Sequence, residues 1–276
     1  MLKRIITALV GIPVAIYVVT RGGWLFVAAV AILAVVAWRE FARMASTRGQ
    51  NLYLVTSALP VLLLQLAAGA ARPDLFLPVL TVSILGILFE GLVRHCQCGE
   101  TDWPAHTSLS ACAVLYIGLL FAHVILLRAH PGPEVSVLGL TFAHGEAAVW
   151  MVLLGTWASD TFAYFFGMAF GKHKFCSVSP KKSMEGAVAG FIFSFAITAG
   201  IALNWLGLPV PASITLGLVV AFCAPVGDLV ESILKRSFDV KDSGNFFPGH
   251  GGVLDRMDSL LFAAPAAYYV LLFLGA

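Results

Sequence analysis

Charge is what this sequence has least of. Of its 276 residues, 12% are Asp, Glu, Lys or Arg and 59% are hydrophobic, and the mean hydropathy is +0.91. A soluble domain carries roughly 25% charged residues, so the polar surface needed to face water is missing. That excludes an ordinary soluble enzyme and a disordered chain. A net charge of +2 leaves no basic face for nucleic acid, and no nucleic-acid partner is expected. Spaced cysteine pairs are missing too: Cys96, Cys98, Cys112, Cys176 and Cys223 form no framework and read as small hydrophobes. The single C-x-C at Cys96 and Cys98, with His95 and His106 loosely spaced around it, is a weak zinc signal. The ten-residue alternation of a membrane barrel is absent, as is the internal repeat of transporters with inverted halves.

What is present is long apolar runs. They give about nine spans of about 20 residues each, near 5–20, 24–38, 53–70, 74–93, 108–127, 146–170, 186–206, 212–234 and 259–275. Continuous runs of this kind cross a bilayer as helices, which satisfy every backbone group internally. The fold expected is an all-α, polytopic transmembrane helical bundle. The first two spans are short and joined by Arg21-Gly22-Gly23, as in a tight hairpin. Met1-Leu2-Lys3-Arg4 followed by an apolar run resembles a signal peptide, but no small-residue cleavage site follows cleanly, so a retained first helix is expected. With the N-terminus cytoplasmic, fourteen of the 17 basic residues fall in the tail and even-numbered loops, against Arg21, Arg72 and Arg128 on the other side. The positive-inside rule then favours a cytoplasmic N-terminus. Short loops and the lack of a soluble domain favour a multi-pass protein of a bacterial inner membrane.

The two halves differ in character. Residues 1–145 read as a scaffold of membrane helices and a candidate dimer interface. Residues 146–276, with cytoplasmic loops 171–185 and 235–258, crowd Asp160, Glu185, Asp228, Glu231, Asp239, Asp242, Asp255 and Asp258 into polar stretches. Asp160 lies ten residues before the end of its span, roughly 15 Å deep, and Asp228 lies seven before Lys235, roughly 10 Å deep. A carboxylate at that depth costs several kcal/mol unless it faces water, a partner or a metal. Two of them suggest one polar cavity open to the cytoplasm. Asp228, Glu231, Ser232 and Lys235 recur at i, i+3, i+4 and i+7, one face of a helix. An internal Glu231–Lys235 ion pair is the structural alternative for that face.

The loop 235–258 cannot continue a helix through Pro248-Gly249-His250-Gly251-Gly252, and its glycines let backbone N–H groups approach an anion. Asp255 and Asp258 follow at i, i+3. Carboxylates beside glycine-rich backbone and basic side chains suit a metal–polyphosphate site, since oxygen ligands hold Mg²⁺ and fixed cations neutralise phosphate. In the loop 171–185, Lys172 and Lys174 suit membrane anchoring. Lys181 and Lys182 are better placed for phosphate, and Ser183 or Glu185 can cap the next helix.

These residues resemble a known family. Ser232-Ile233-Leu234-Lys235-Arg236, Lys241-Asp242-Ser243-Gly244 and Phe247-Pro248-Gly249-His250-Gly251-Gly252-Val253-Leu254-Asp255-Arg256-Met257-Asp258 resemble the defining pattern of phosphatidate cytidylyltransferases. Asp160 with Thr161, Ser179 to Gly186, and Gly227-Asp228 with Glu231-Ser232 are similar to its other motifs. The N-terminal half agrees only in hydropathy. The resemblance implies CTP and phosphatidate as substrates, CDP-diacylglycerol and pyrophosphate as products, Mg²⁺ with K⁺ as a companion ion, membrane lipid as surroundings and a homodimer. It assigns Asp228 and Asp255 to the metal. Lys235, Arg236 and Asp258 join them as catalytic candidates, with Asp160 and Glu231 in support. Lys181, Lys182, Ser183, Ser232, Lys241, His250, Gly251, Gly252 and Arg256 are the phosphate-binding candidates. Two other classes compete: an ion-coupled transporter using Asp160 and Asp228, which leaves the Lys-rich loop unexplained, and an alcohol phosphatidyltransferase, whose D-G-x2-A-R motif is absent.

Overall fold

Apolar helices dominate the computed structural model, which describes residues 2–137, 139–175, 179 and 182–275. The order is α1 (Leu2–Arg21), α2 (Gly23–Ser46), α3 (Leu54–Gly69), a 3₁₀ turn at Pro73–Leu75 and α4 (Phe76–Cys98). Next come α5 (Trp103–Ala113), a π-helical stretch Val114–Leu119 and α6 (Leu120–Arg128), and then the strands β1 (Val135–Val137) and β2 (Leu140–Phe142). The chain ends in α7 (His144–Phe170), α8 (Met184–Asn204), α9 (Val210–Ser237) and α10 (Leu254–Leu274). The chain is therefore a polytopic helical membrane protein. Among the described residues, six stretches are long and apolar enough to cross a bilayer: Gly23–Ser46, Pro73–Cys98, Trp103–Arg128, Met184–Asn204, Val210–Ser237 and Leu254–Leu274. At 27 residues α7 is long enough, but Trp150, Trp157, Ser159, Asp160 and Tyr164 lower its hydropathy, and α3 is short at 16 residues.

Local sequence explains several boundaries. The short first two spans become helices of 20 and 24 residues, broken at Gly22, whose φ of 61° suits glycine. Helix α2 runs well past the end of its apolar stretch and takes Glu40 into the helix. Gly99, at φ 68°, ends α4 in the left-handed C-cap geometry. Two strands appear where none is expected. They form a three-pair antiparallel hairpin between Val135 and Phe142, turned at Gly139 with φ 80°.

The chain divides into two compact units. The first joins Met1–Leu126 to Ser237–Arg256. Its core sets Ala34, Ala37 and Phe41 of α2 with Val61 and Leu64 of α3 and Ile117 of the π stretch, all fully buried. Within it Gln65 Nε2 donates to the Gly118 carbonyl at 2.7 Å, serving backbone that the π geometry displaces. The second unit joins Leu127–Arg236 to Met257–Ala276. There α7 and α8 meet along two stripes of small residues at every fourth position, Gly155-Ser159-Ala163-Gly167 and Gly186-Gly190-Ser194-Thr198. A Cβ on Gly190 would come 2.6 Å from the Ser159 carbonyl, and one on Gly186 would come 2.5 Å from that of Ala163. Small residues of this kind let membrane helices approach backbone to backbone. Ser237–Arg256, grouped by sequence with the second half, thus packs with the N-terminal helices, for a reason found at Glu40.

Candidate active site

Functional side chains gather in two clusters, one in each unit. The cluster of the second unit is built on α9. Asp228 forms an ion pair with Lys182, which stands just ahead of α8, and its Oδ1 accepts from Ser232 Oγ at 3.3 Å. One turn on, Lys235 pairs with Glu231 at 2.5 Å, with only 13% and 1% of the two side chains exposed. The expected shared face is therefore real, and on it the structural pair is Glu231 with Lys235. Val230 and Ile233 lie exposed away from that face. At Gly227 the backbone of α10 passes so close that a Cβ would strike the Asp258 carbonyl. Asp258 accepts from the Ser259 N–H at 2.7 Å, within electrostatic reach of Asp228, Asp160 and Lys235.

The polar loop before α8 is tied back on itself. Lys174 bridges antiparallel to Ser183, Phe175 N donates to the Lys182 carbonyl at 2.9 Å, and Met184 N donates to that of His173 at 2.9 Å. This places Lys182 opposite Asp228. Ser183 caps α8 by accepting from Gly186 N at 3.1 Å. Glu185 accepts from the Lys172 and His173 backbone and pairs with the His173 ring at 2.6 Å. Lys181 lies outside the described residues, as do Cys176 and Pro180.

The cluster of the first unit surrounds Asp255, in the first turn of α10. Three donors converge on its Oδ2: Ser243 N at 2.8 Å, Ser243 Oγ at 2.9 Å and Gly252 N at 2.8 Å. Ahead of it, Phe247-Pro248-Gly249-His250 makes a tight turn. His250 N donates to the Phe247 carbonyl at 2.8 Å, with proline second and Gly249 third at φ 81°, the type II pattern. Phe247 N then donates to Gly251 O at 2.9 Å, and Arg256 Nε to the His250 carbonyl at 2.8 Å. Arg236, Lys241 and Arg256 are exposed and His250 is half-buried. The glycines do bring backbone close to anions, and those anions are the protein's own. A Cβ on Gly251 would lie 2.6 Å from Asp255 Oδ2, and one on Gly252 would lie 2.5 Å from both carboxylate oxygens of Glu40.

Glu40 is the residue that sequence reading missed. It is 7% exposed on α2 and accepts from Val253 N at 2.9 Å, Leu254 N at 3.1 Å and Ser243 Oγ at 3.2 Å. The one available signal was an acid inside an apolar helix. It was hidden because the apolar run stops at Trp38 while the helix continues. Elsewhere in this unit the His106 ring turns to Glu100, and Cys96 and Cys98 are exposed, so the His-Cys loop gathers no zinc site. Among the described residues no three His, Cys, Asp or Glu side chains stand together as a metal cage.

A many-helix membrane protein that keeps carboxylates beside ammonium and hydroxyl groups is equipped for chemistry on phosphate esters at a lipid surface. The sequence specifies which chemistry: the chain belongs to the Cytidylyltransferase family, which it matches over residues 2–274. It is 32% identical over 293 residues to the phosphatidate cytidylyltransferase of Synechocystis sp., covering 99% of this chain and 97% of that one. It is 31% identical over 273 residues to the phosphatidate cytidylyltransferase of Staphylococcus saprophyticus, covering 95% of each. The chloroplastic phosphatidate cytidylyltransferase 4 of Arabidopsis thaliana is 33% identical over 284 residues, covering 96% of this chain and 72% of that one.

Proposed function

We infer that the protein is an integral-membrane enzyme of phospholipid synthesis that converts CTP and phosphatidate to CDP-diacylglycerol and pyrophosphate. The observation that carries this reading is the family match along essentially the whole chain. The two clusters supply groups the reaction requires. A phosphate oxygen of phosphatidate attacks the α-phosphorus of CTP. A new P–O bond forms, the bond to the bridging oxygen breaks, and pyrophosphate leaves with that electron pair. Two polyanions must meet, so cations and fixed donors have to offset their repulsion and hold the attack in line. No separate base is needed, because a phosphomonoester is already ionised at neutral pH.

Asp228, Asp255 and Asp258 offer hard carboxylate oxygens, the donor chemistry that suits Mg²⁺. By the family resemblance Asp228 and Asp255 would each serve as a ligand for Mg²⁺ or its companion K⁺, with Asp258 in support. Bound there, Mg²⁺ supplies Lewis-acid stabilisation of charge on the transferring phosphorus. Lys182 balances Asp228 before substrate arrives and passes to a phosphate afterwards. Ser232 orients Asp228, while Glu231 holds Lys235 in place and Asp160 and Asp258 support the metal or orient the basic groups. Arg236, Lys241 and Arg256, all exposed, collect the phosphates, and Lys181 adds to them. The type II turn at His250 fixes the approach of Gly251 and Gly252.

Nine crossings with the N-terminus in the cytoplasm put the ends carrying Lys182, Lys235 and Asp255 on the cytoplasmic side of the inner membrane, where CTP is. The family resemblance also favours a homodimer, which light scattering of the detergent-solubilised protein would measure. Purified protein given CTP and phosphatidate should release pyrophosphate, stop on chelation of Mg²⁺ and recover when it is restored. A transporter releases none, and an alcohol phosphatidyltransferase would demand CDP-diacylglycerol as substrate.

A further inference from the structure

A carboxylate buried as deeply as Glu40 is costly unless donors surround it. Its donors are unusual in their source. Val253 N and Leu254 N are among the unsatisfied N–H groups at the start of α10, which an adjacent Ser, Thr, Asp or Asn ordinarily serves. Here the acceptor comes from α2, 213 residues away in sequence. Its third donor, the Ser243 hydroxyl, is shared, lying 3.2 Å from Glu40 Oε2 and 2.9 Å from Asp255 Oδ2. Asp255 also accepts from two donors of the same frame, Ser243 N and Gly252 N, each at 2.8 Å. Two carboxylates from opposite ends of the chain thus grip one short stretch of backbone.

There is little slack between them. A Cβ at Gly244 or Gly252 would lie 2.5 Å from a Glu40 oxygen, so neither position has room for a side chain. Any displacement of Glu40 passes directly to Ser243 and to the first turn of α10. We propose that Glu40 is a positioning residue for nucleotidyl transfer, setting the place and orientation of the Asp255 carboxylate through Ser243 and the N-terminus of α10. Its own oxygens are turned to Val253 N, Leu254 N and the Ser243 hydroxyl. The proposal rests on the reading of Asp255 as a metal ligand. It gives the N-terminal helices a part in the reaction beyond that of a scaffold.

The test uses the full-length protein in detergent and compares Glu40→Gln and Ser243→Ala with the parent. Thermal unfolding, Mn²⁺ binding by electron paramagnetic resonance without substrate, and kcat and KM for CTP are measured on each. Glu40→Gln should stay folded but unfold at a lower temperature, since an amide cannot accept from all three donors. Its Mn²⁺ affinity and kcat should each fall about 10–100-fold, the usual cost of losing a partner that orients a metal ligand. Its KM for CTP should stay near that of the parent. Ser243→Ala should weaken Mn²⁺ binding in the same direction, and the double variant should lose less than the two single losses combined, because both act on one carboxylate. Parental Mn²⁺ affinity in folded Ser243→Ala overturns the proposal. So does a Glu40→Gln protein that loses stability while its folded fraction binds Mn²⁺ normally, for Glu40 is then only a cap. Should Glu40→Gln not fold, the Ser243→Ala measurement decides. If the parent itself fails to turn over CTP and phosphatidate, the functional reading falls, while the Mn²⁺ comparison still judges Glu40.

Discussion

Asp228 and Asp255 are both acids on apolar helices, yet their surroundings differ in kind. Asp228 is balanced by a long, flexible ammonium side chain, Lys182, and by one hydroxyl from its own helix. Asp255 is held by two backbone N–H groups and a serine hydroxyl, all on one oxygen. Donors converging on one oxygen hold Asp255 still, which preorganises it for a cation at little reorganisation cost. The Asp228 pair is an exchangeable arrangement, since an ammonium group can swing from carboxylate to phosphate once substrate brings a competing anion. One acid is built in place and the other is poised for substitution.

The strongest way to test that contrast is to neutralise each acid in turn. Asp228→Asn and Asp255→Asn should each cut conversion of labelled CTP on the order of a thousandfold, a loss of several kcal/mol of transition-state stabilisation. Only Asp255→Asn should also lower the unfolding temperature, because an amide cannot replace a carboxylate among three donors. Next comes the buried pair on α9. Glu231→Gln removes the carboxylate paired with the buried Lys235 ammonium and should cost about 3–5 kcal/mol of stability, read by thermal unfolding in detergent. Removing both charges with Lys235→Met should recover most of that stability. Lys182→Met probes the exchangeable side. It should lower kcat about 100-fold while leaving the unfolding temperature nearly unchanged, the signature of an electrostatic contributor. The smallest effect belongs to the turn ahead of Asp255. Gly249→Ala should cost about 1–2 kcal/mol, since an L side chain at φ 81° is strained.

Much of the fold was legible because apolar runs and their boundaries follow directly from the physics of the bilayer. The π stretch at Val114–Leu119 and the small hairpin at Val135–Phe142 were not, since neither carries a periodicity that the sequence displays. In the candidate site, spacing alone put Asp228, Glu231, Ser232 and Lys235 on one face, and the helix does so. Spacing does not show who meets whom across the chain. Lys182 opposite Asp228 depends on a loop folded back by a single bridge, and Glu40 beneath Ser243 depends on a long-range approach that no local pattern encodes. The glycines at 251 and 252 were read as room for a bound anion, and their closest anions turned out to be internal.

The reach of Glu40 also bears on the order in which the protein is made. Its carboxylate is carried into the membrane with the second helix, yet the serine it contacts is synthesised 203 residues later. At ribosomal speeds of 5–20 residues per second that interval is roughly 10–40 s. Throughout it, the nascent chain must keep a charged group hydrated, held by the insertion machinery or lodged near the lipid headgroups. Arrival of Ser243 and the first turn of α10 then relieves that charge, so the surroundings of Asp255 are completed only late in synthesis.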